Sequence, residues 1–305
     1  LDYHKSYKDY LNSKMILFNR LMKKRSNIIY DNEIPQSKIL KKISNSKNLS
    51  STTIGNNKSD LTIIKHSYIG EKQLLSFKFK NKIYKFETGL IGKLQIKNLL
   101  MSILAANKSN ISMNKIIRKI KNIKPINGRL EKIGKIKNNS IVILDYAHTP
   151  QALKSCLVSI KDQFKLRKIS IIFGCGGDRD KPKRKIMGKI ANEYCDKIYL
   201  TDDNPRSENP EKIRSQIKKN IKKNKLIEIP SRKDAIARSI LESKSGDVLL
   251  VAGKGHEDYQ EYLKKYKFSD KQCILKNIKI KNKFLFNNWK SNIINDFLKK
   301  TKLKS

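Results

Sequence analysis

The segment that decides the fold is KIYLTDDNPR, residues 197–206 of this 305-residue chain. The apolar run from Lys197 to Thr201 predicts a buried strand, and the polar residues after it indicate a loop. In an open α/β sheet, ligands bind in the crevice outside the carboxyl ends of the strands. We therefore expect the loop that ends at Arg206 to line a binding site.

This loop contains side chains that suit a ligand carrying both charges. Arg206 presents a planar fork that matches a carboxylate, and Asp203 and Asn204 can accept hydrogen bonds from an ammonium group. An ordinary turn is the alternative, because Asp, Asn and Pro205 are common turn residues. The motif alone leaves both interpretations open.

The sequence on both sides of this segment predicts a parallel sheet covered by helices. Five continuous apolar runs predict strands, at Ile141–Leu144, Ile169–Phe173, Lys197–Thr201, Leu226–Ile229 and Val248–Ala252. Four stretches between them predict helices, at Pro150–Gln163, Pro182–Tyr194, Pro210–Lys222 and Arg232–Glu242. Strands that alternate with helices predict a doubly wound α/β domain.

The chain before Pro125 has a less regular pattern. Apolar residues at helical spacing predict helices, at Tyr7–Leu21, Asn98–Ala106 and Met113–Ile120. Short β-type runs predict strands, at Asn27–Tyr30 and within Asp60–Phe86, and the Ser- and Asn-rich stretch Ser44–Ser59 predicts a loop. Pro125 and Gly128 predict a domain boundary. We expect domains at 1–124 and 125–275, followed by a Lys-rich tail of unknown role at 276–305.

The composition limits the class of protein. The chain has 68 Lys and Arg residues against 27 Asp and Glu residues, a formal net charge of +41. The lysines are spread along the whole length, and aromatic residues are not interleaved with them as stacking platforms for nucleic acid would require. We therefore expect no specific nucleic-acid binding. A basic nucleic-acid-binding module is the alternative, and it would need the charge gathered on one surface.

Cysteine usage and hydropathy predict a cytoplasmic protein. The four cysteines, Cys156, Cys175, Cys195 and Cys273, match no zinc-binding spacing and are expected to be reduced thiols. No apolar run approaches the length of a membrane span, so we expect no membrane association.

Two further predicted strand ends lead into polar loops with possible chemistry. DYAHTP begins at Asp145, an acid that could bind ribose hydroxyls, and contains His148, which could be an acid–base group or a structural cap of the next helix. GKGHEDYQ begins at Gly253 and superficially resembles a P-loop, but its spacing does not match. Its Glu257 could bind an amino group.

The remaining loop, GCGGDRDK at residues 174–181, contains glycines that allow a backbone to approach an anion. Arg179 could bind a carboxylate, or it could form an internal ion pair with Asp178 and Asp180. Together the loops bring cationic and anionic side chains to one edge of the predicted sheet, namely Arg179, Asn204, Arg206 and Glu257.

Five motifs, in this order and spacing, resemble the Mur ligase family. They are GRLE at Gly128–Glu131, DYAHTP at Asp145–Pro150, FGCGGDRD at Phe173–Asp180, DNPR at Asp203–Arg206 and GKGHEDYQ at Gly253–Gln260. The resemblance extends from Leu1 to about Ile274. It implies an α/β protein with the end of a P-loop-type central ATPase domain, followed by a Rossmann-like doubly wound C-terminal domain. It also implies a fragment without the P-loop and the UDP-sugar domain, which we expect to be inactive alone.

The DNPR motif resembles that of family members that recognise meso-2,6-diaminopimelate. The resemblance implies an ATP-dependent ligase, with Mg²⁺, that joins meso-diaminopimelate to UDP-N-acetylmuramoyl-L-Ala-D-Glu through an acyl phosphate. It implies a step of cytoplasmic peptidoglycan precursor synthesis, and we expect a monomer. A ligase similar to folylpolyglutamate synthase shares the scaffold, but DNPR and GKGHEDYQ argue against it.

The resemblance implies a role for each matching residue. Contacts to meso-diaminopimelate are implied for Arg179, Asp203, Asn204, Pro205, Arg206, Gly253 and Glu257, and contacts to the nucleotide for Asn98, Arg129 and Asp145. The segment Leu1-Asp2-Tyr3-His4 followed by Lys14 resembles the family segment whose lysine is carbamylated. A carbamate on Lys14 would provide oxygen ligands for Mg²⁺. From the residue alone, a solvated helix lysine is the alternative.

Overall fold

The computed structural model describes the backbone of residues 6–302 and the side chains of residues 6–287. The chain divides into two compact units, Leu1–Lys124 and Pro125–Ser305.

The N-terminal unit contains a five-stranded mixed sheet with helices. Its strands are β1 (Asn27–Asp31), β2 (Ser50–Gly55), β3 (Leu61–Ile69), β4 (Lys72–Phe79) and β5 (Lys82–Thr88), and they lie in sequence order. Its helices are α1 (Tyr7–Ile16), α2 (Ser37–Ser46), α3 (Lys93–Lys108) and α4 (Met113–Lys119), with a π-helical turn at Leu17–Leu21 and a 3₁₀ turn at Ile120–Asn122. The strands β1, β2 and β3 are parallel, whereas β3, β4 and β5 form antiparallel hairpins.

The predicted loop at Ser44–Ser59 is wrong, because part of it forms β2. This strand pairs in parallel with β1, and the side chains of Thr52 and Ile54 are buried. Only Ile54 in the strand is apolar, so the hydrophobic pattern did not show it. The β-branched threonines suit a pleated strand, and the position between β1 and β3 supplies the burial.

The C-terminal unit is a six-stranded sheet with helices on both faces. Its strands are β6 (Glu131–Lys135), β7 (Ile141–Asp145), β8 (Ile169–Phe173), β9 (Lys197–Leu200), β10 (Leu226–Glu228) and β11 (Val248–Ala252), and β12 (Tyr259–Glu261) and β13 (Lys265–Lys267) form a separate hairpin. Its helices are α5 (Pro150–Gln163), α6 (Lys183–Tyr194), α7 (Pro210–Lys218), α8 (Arg232–Glu242) and α9 (Asp270–Lys302), with a 3₁₀ turn at Lys223–Lys225. The strand order is β10-β9-β8-β11-β7-β6.

This topology confirms the predicted doubly wound α/β domain. The strands β7 to β11 are mutually parallel, and every residue of β7, β8 and β11 is buried, as expected for strands covered on both faces. The helix α7 ends at Lys218, earlier than predicted. The antiparallel edge strand β6 and the β12–β13 hairpin were not predicted. Because the five parallel strands point the same way, the loops after them gather at one edge.

A buried ion pair joins the helices α8 and α9 to the end of β11. The guanidinium of Arg232 is fully buried, and its Nε and Nη2 donate to the two carboxylate oxygens of Asp270 at 2.8 and 2.7 Å. Nη2 also donates to the carbonyl oxygen of Ala252 at 2.9 Å. The first turns of α9 place Ile274 and Ile278 in the core beside α8. The helix continues past residue 275, the position at which we expected the tail to begin.

We expect Asp270→Asn to destabilise the C-terminal unit by about 3–5 kcal/mol, because it leaves the buried Arg232 guanidinium without its countercharge. The measurement is native-state hydrogen exchange at the β11 amides of the whole chain. A control on α8, the helix that carries Arg232, is Arg238→Ala, which breaks the exposed ion pair with Glu242 and should change little. Equal effects of the two substitutions would contradict this account.

Candidate active site

The carboxylate of Glu257 connects three of the loops that follow the parallel strands. Its Oε2 accepts hydrogen bonds from Asn204 Nδ2 and from Lys254 Nζ, both at 3.2 Å. Its Oε1 accepts a hydrogen bond from the Tyr146 hydroxyl at 3.3 Å. The loops after β7, β9 and β11 are therefore joined at one anionic side chain, which is 19% exposed.

Lys254 is a fully buried lysine beneath this site. Its Nζ donates to Asn204 Oδ1 at 2.8 Å as well as to Glu257, and lies 5.1 Å from the ring centroid of Tyr259. Asn204 Oδ1 also accepts from the main-chain N–H of Glu261 at 2.9 Å. The amide oxygen of Asn204, which we expected to receive an ammonium group, is thus already bonded twice within the protein.

Asp203 lies beside Asn204 and is also mostly buried. Its Oδ2 is 3.9 Å from Nη1 of Arg232, a nitrogen without a hydrogen-bond partner in the part of the chain that the structure describes. Gly253 has a φ of +114°, and a Cβ there would come within 2.6 Å of Asp203 Oδ2. Glycine at position 253 therefore allows the carboxylate to lie against the backbone of the β11 loop.

Arg206 has an unusual backbone conformation for a residue with a side chain. Its φ is +55°, in the left-handed region that favours glycine. The main-chain N–H of Arg206 donates to the carbonyl oxygen of Glu261 at 3.1 Å, and Nη1 donates to the carbonyl oxygen of Gly177 at 2.8 Å. Its Nε lies 3.2 Å from Glu261 Oε2. The guanidinium is held between the β8 loop and the β12 strand.

The β8 loop and the DNPR loop are in close backbone contact. The N–H of Gly177 donates to the carbonyl oxygen of Asn204 at 2.9 Å. A Cβ at Gly177 would lie 1.8 Å from the carbonyl oxygen of Pro205. Only glycine fits at position 177, and Pro205 acts here through its main chain.

A second buried cation supports these two loops. Arg184, fully buried in α6, forms two hydrogen bonds of 2.9 Å with the carboxylate of Glu208, and its Nη2 donates to the carbonyl oxygen of Gly176 at 3.0 Å. Glu208 also accepts from the main-chain N–H of Asp178 at 2.6 Å. The hydrogen bonds from Arg184 are the main reason why the pKa of Glu208 is lowered to about 2. No motif in the sequence indicates this role for Arg184 or Glu208.

Arg179 is exposed on the β8 loop. The adjacent Asp178 carboxylate accepts hydrogen bonds from the hydroxyl and the main-chain N–H of Ser207. These bonds are the main cause that lowers the pKa of Asp178. Asp178 therefore fixes the start of the segment after DNPR, a role that differs from the predicted ion pair with Arg179.

Arg129, just before β6, lies close to Asp145 at the end of β7, because these two strands are paired. The carboxylate of Asp145 is buried and accepts hydrogen bonds from the main-chain N–H groups of Leu130 at 2.7 Å and Ala147 at 2.8 Å. Burial raises the pKa of Asp145, and these bonds oppose the increase. The Arg129 guanidinium lies over the Tyr146 ring, 4.6 Å from its centroid. Arg129, predicted to contact the nucleotide, thus packs on the tyrosine that bonds to Glu257, and Asp145, with the same predicted role, directly precedes that tyrosine in the chain.

The structure tests the proposal that His148 caps the helix α5. Its Nδ1 lies 2.9 Å from the carbonyl oxygen of Tyr146, and its ring packs edge-on against the Tyr146 ring. The helix α5 is capped by Thr149, whose hydroxyl accepts from the N–H of Ala152. The capping role proposed for His148 is therefore wrong, because Thr149 fills it.

The predicted site residues of the N-terminal unit lie on two helices. Lys14 is exposed on α1, with its Nζ 5.4 Å from the ring centroid of Tyr10, and Asn98 is exposed on α3. The preceding segment Leu1–His4 lies outside the described residues. In the part of the chain that the structure describes, no group of three or more His, Cys, Asp or Glu side chains could hold a metal ion.

Two family models match the chain. The Mur ligase middle domain matches residues 1–106, and the glutamate ligase domain of the Mur ligases matches residues 128–255. The chain belongs to the Mur ligase family. It is similar to UDP-N-acetylmuramoyl-L-alanyl-D-glutamate–2,6-diaminopimelate ligase of Rickettsia rickettsii, with 39% identity over 283 residues, which cover 92% of this chain and 58% of that protein.

Solved structures agree with this assignment. A structure of a UDP-N-acetylmuramoyl-L-alanyl-D-glutamate–2,6-diaminopimelate ligase has a TM-score of 0.64 and 27% identity, covering 91% of this chain and 57% of that one. MurF ligase from Thermotoga maritima in complex with ADP has a TM-score of 0.66 at 15% identity, covering 91% and 58%, and shows the shared fold. The chain spans about 58% of the length of the curated relative from Rickettsia rickettsii. Within the described residues, no helix is long and apolar enough to cross a membrane.

We expect Glu208→Gln to remove part of the acid sensitivity of the C-terminal unit. Because the pKa of Glu208 is lowered to about 2, its contribution is complete above its ordinary value of 4.5 and is lost as the pH falls from there toward 2. The difference in unfolding free energy between wild type and variant should be about 2 kcal/mol at pH 7 and should shrink below pH 4.5. Urea unfolding at several pH values measures it.

The matched control for this experiment is Glu211→Gln on α7, an exposed glutamate near Glu208. It should leave the pH dependence unchanged. A constant difference between wild type and Glu208→Gln from pH 7 to pH 3 would show that the carboxylate does not titrate as the Arg184 pair requires.

Proposed function

We propose that this protein takes part in the ATP-dependent ligation of meso-2,6-diaminopimelate to UDP-N-acetylmuramoyl-L-Ala-D-Glu, a cytoplasmic step of peptidoglycan precursor synthesis. An oxygen of the D-Glu carboxylate attacks the γ-phosphorus of ATP, and ADP leaves. The amine of diaminopimelate then attacks the acyl carbon, an amide bond forms, and inorganic phosphate leaves. The similarity to the Rickettsia rickettsii ligase supports this proposal.

The observation that carries the proposal is the placement of Arg206 beside the acids of the neighbouring loops. Diaminopimelate has a carboxylate and an ammonium group at each end, and a site for it needs charges of both signs. Arg206 is 25% exposed and fits the distal carboxylate, and Arg179, exposed on the facing loop, fits a carboxylate as well. Asp203 and Glu257 fit the ammonium groups.

The contacts described above give the other residues of the site supporting roles in this proposal. Asn204 binds Glu257 through its amide nitrogen and Lys254 through its oxygen, so it orients the acid that faces the ligand. Gly253 makes room for Asp203, and the carbonyl oxygen of Pro205 packs against Gly177 of the β8 loop. The recognition surface is thus set by bonds within the protein before the amino acid binds.

For the nucleotide, we propose Asn98, Arg129 and Asp145 as contacts. The ADP bound to the Thermotoga maritima MurF ligase supports a nucleotide for this fold, and ATP with Mg²⁺ is the form that the ligation requires. We propose a carbamate on Lys14 as one oxygen donor to the metal. Residues 1–124 would belong to the central ATP-binding domain and residues 125–275 to the amino-acid-binding domain, and we propose a monomer without specific nucleic-acid binding.

We expect Arg206→Ala to abolish the preference for diaminopimelate. The experiment joins this chain to the N-terminal part of the Rickettsia rickettsii ligase and measures ligation to UDP-N-acetylmuramoyl-L-Ala-D-Glu with meso-diaminopimelate or L-lysine. The loss of a charge-assisted pair should lower kcat/KM for diaminopimelate about 30- to 100-fold and should not lower the value for lysine. Arg206→Lys should recover little, because an ammonium group lacks the planar fork.

The control is Arg238→Ala, which removes an exposed arginine on α8. Equal use of lysine and diaminopimelate by the unmodified protein would reject the proposed specificity. Absence of ligation with either amino acid would reject the ligase proposal itself.

A further inference from the structure

The guanidinium of Arg206 already has a carboxylate partner within the protein. Glu261, the last residue of β12, places Oε2 3.2 Å from Arg206 Nε, and each side chain is 25% exposed. We propose that Glu261 is a specificity-determining residue, an internal carboxylate that occupies Arg206 in the free protein and is displaced by the distal carboxylate of the amino acid. This inference rests on the proposed function.

Arg206 does not depend on the Glu261 carboxylate for its position. Its Nη1 donates to the carbonyl oxygen of Gly177 at 2.8 Å, and its main-chain N–H donates to the carbonyl oxygen of Glu261. Nη1 also packs against Gly176, where a Cβ would lie only 3.0 Å away. The main-chain groups therefore orient the guanidinium, and the carboxylate of Glu261 acts as its countercharge.

A ligand carboxylate competes with Glu261 for the same edge of the guanidinium. Nε is one of the two nitrogens on the side-on edge, which binds a carboxylate through two parallel hydrogen bonds. Two carboxylates at one guanidinium edge also repel each other. Because Glu261 is at the surface of the site and partly exposed, its side chain can turn into solvent when the ligand binds.

This competition affects the two amino acids differently. Diaminopimelate has a distal carboxylate and must replace Glu261, which weakens its binding. L-Lysine has only an ammonium group at that end, does not replace Glu261, and is attracted by its negative charge. Glu261 therefore reduces the preference of the site for diaminopimelate over lysine.

Two substitutions separate charge from hydrogen bonding. Glu261→Gln keeps the length and an acceptor oxygen but removes the charge, and Glu261→Ala removes both. Neither changes the main-chain N–H that donates to Asn204 Oδ1. The matched control is Asp258→Asn, which removes the same charge from an exposed residue three positions earlier in the chain.

The experiment measures the Kd of meso-diaminopimelate and of L-lysine by titration calorimetry with the 305-residue chain, and the KM for both in the chimeric ligase. We expect the Kd and KM for diaminopimelate to fall about two- to fivefold in Glu261→Gln, and further in Glu261→Ala, with kcat unchanged. Lysine should bind no tighter, and Asp258→Asn should match wild type. The Nε–H resonance of Arg206 should shift on diaminopimelate binding to wild type.

The outcomes distinguish this inference from the proposed function. If the wild type binds diaminopimelate but Glu261→Gln binds it equally or more weakly, the inference is wrong and the proposed function stands. If both ligands tighten equally, Glu261 only restricts the loop, and the inference is also wrong. If no variant binds or ligates diaminopimelate, the proposed function and the inference both fall.

Discussion

The architecture of the candidate site depends on the buried ammonium group of Lys254. A buried charge is stable only when it is paired and hydrogen-bonded, and Lys254 meets this condition through Asn204 and Glu257. Those two residues lie on different loops, after β9 and after β11. The requirement to satisfy one cation thus fixes the distance between the loops, and Glu257 carries the connection on to Tyr146 in the β7 loop.

The same principle operates at two other fully buried cations. Arg184 joins the β8 loop to Glu208, and Arg232 joins α8 to Asp270 at the start of α9. Each pair is costly to disrupt because removal of one partner leaves an unpaired buried charge. These buried ion pairs therefore hold the loops that carry Arg179 and Arg206 in place. The positive φ of Arg206 is tolerated because the surrounding hydrogen bonds impose it.

The sequence predicted the frame of the C-terminal unit well, for a physical reason. A strand buried on both faces must be apolar along its whole length, and β7, β8 and β11 are. The prediction failed where the buried residues are polar or charged. The strand β2 is mostly Ser and Thr, and Arg184 and Lys254 look like solvated cations until their partners are known. Glu208 lies 24 residues from Arg184, and Asn204 lies 50 residues from Lys254, so spacing alone could not show these two pairs.

In this strongly basic chain, several cations of the site are already paired with carboxylates of the protein. Acids are scarce, 27 against 68 basic residues, yet several of them lie in the loops at the carboxyl edge of the sheet. Glu208, Glu257 and Asp270 neutralise the buried cations, which then cannot attract a ligand carboxylate directly. The guanidinium groups of Arg179 and Arg206 lie on two loops that are joined by hydrogen bonds from Ser207 to Asp178 and from Gly177 to Asn204. Because each of these three buried cations has a carboxylate partner, the position of the guanidinium groups on these loops bears on binding, and not the net charge of the chain alone.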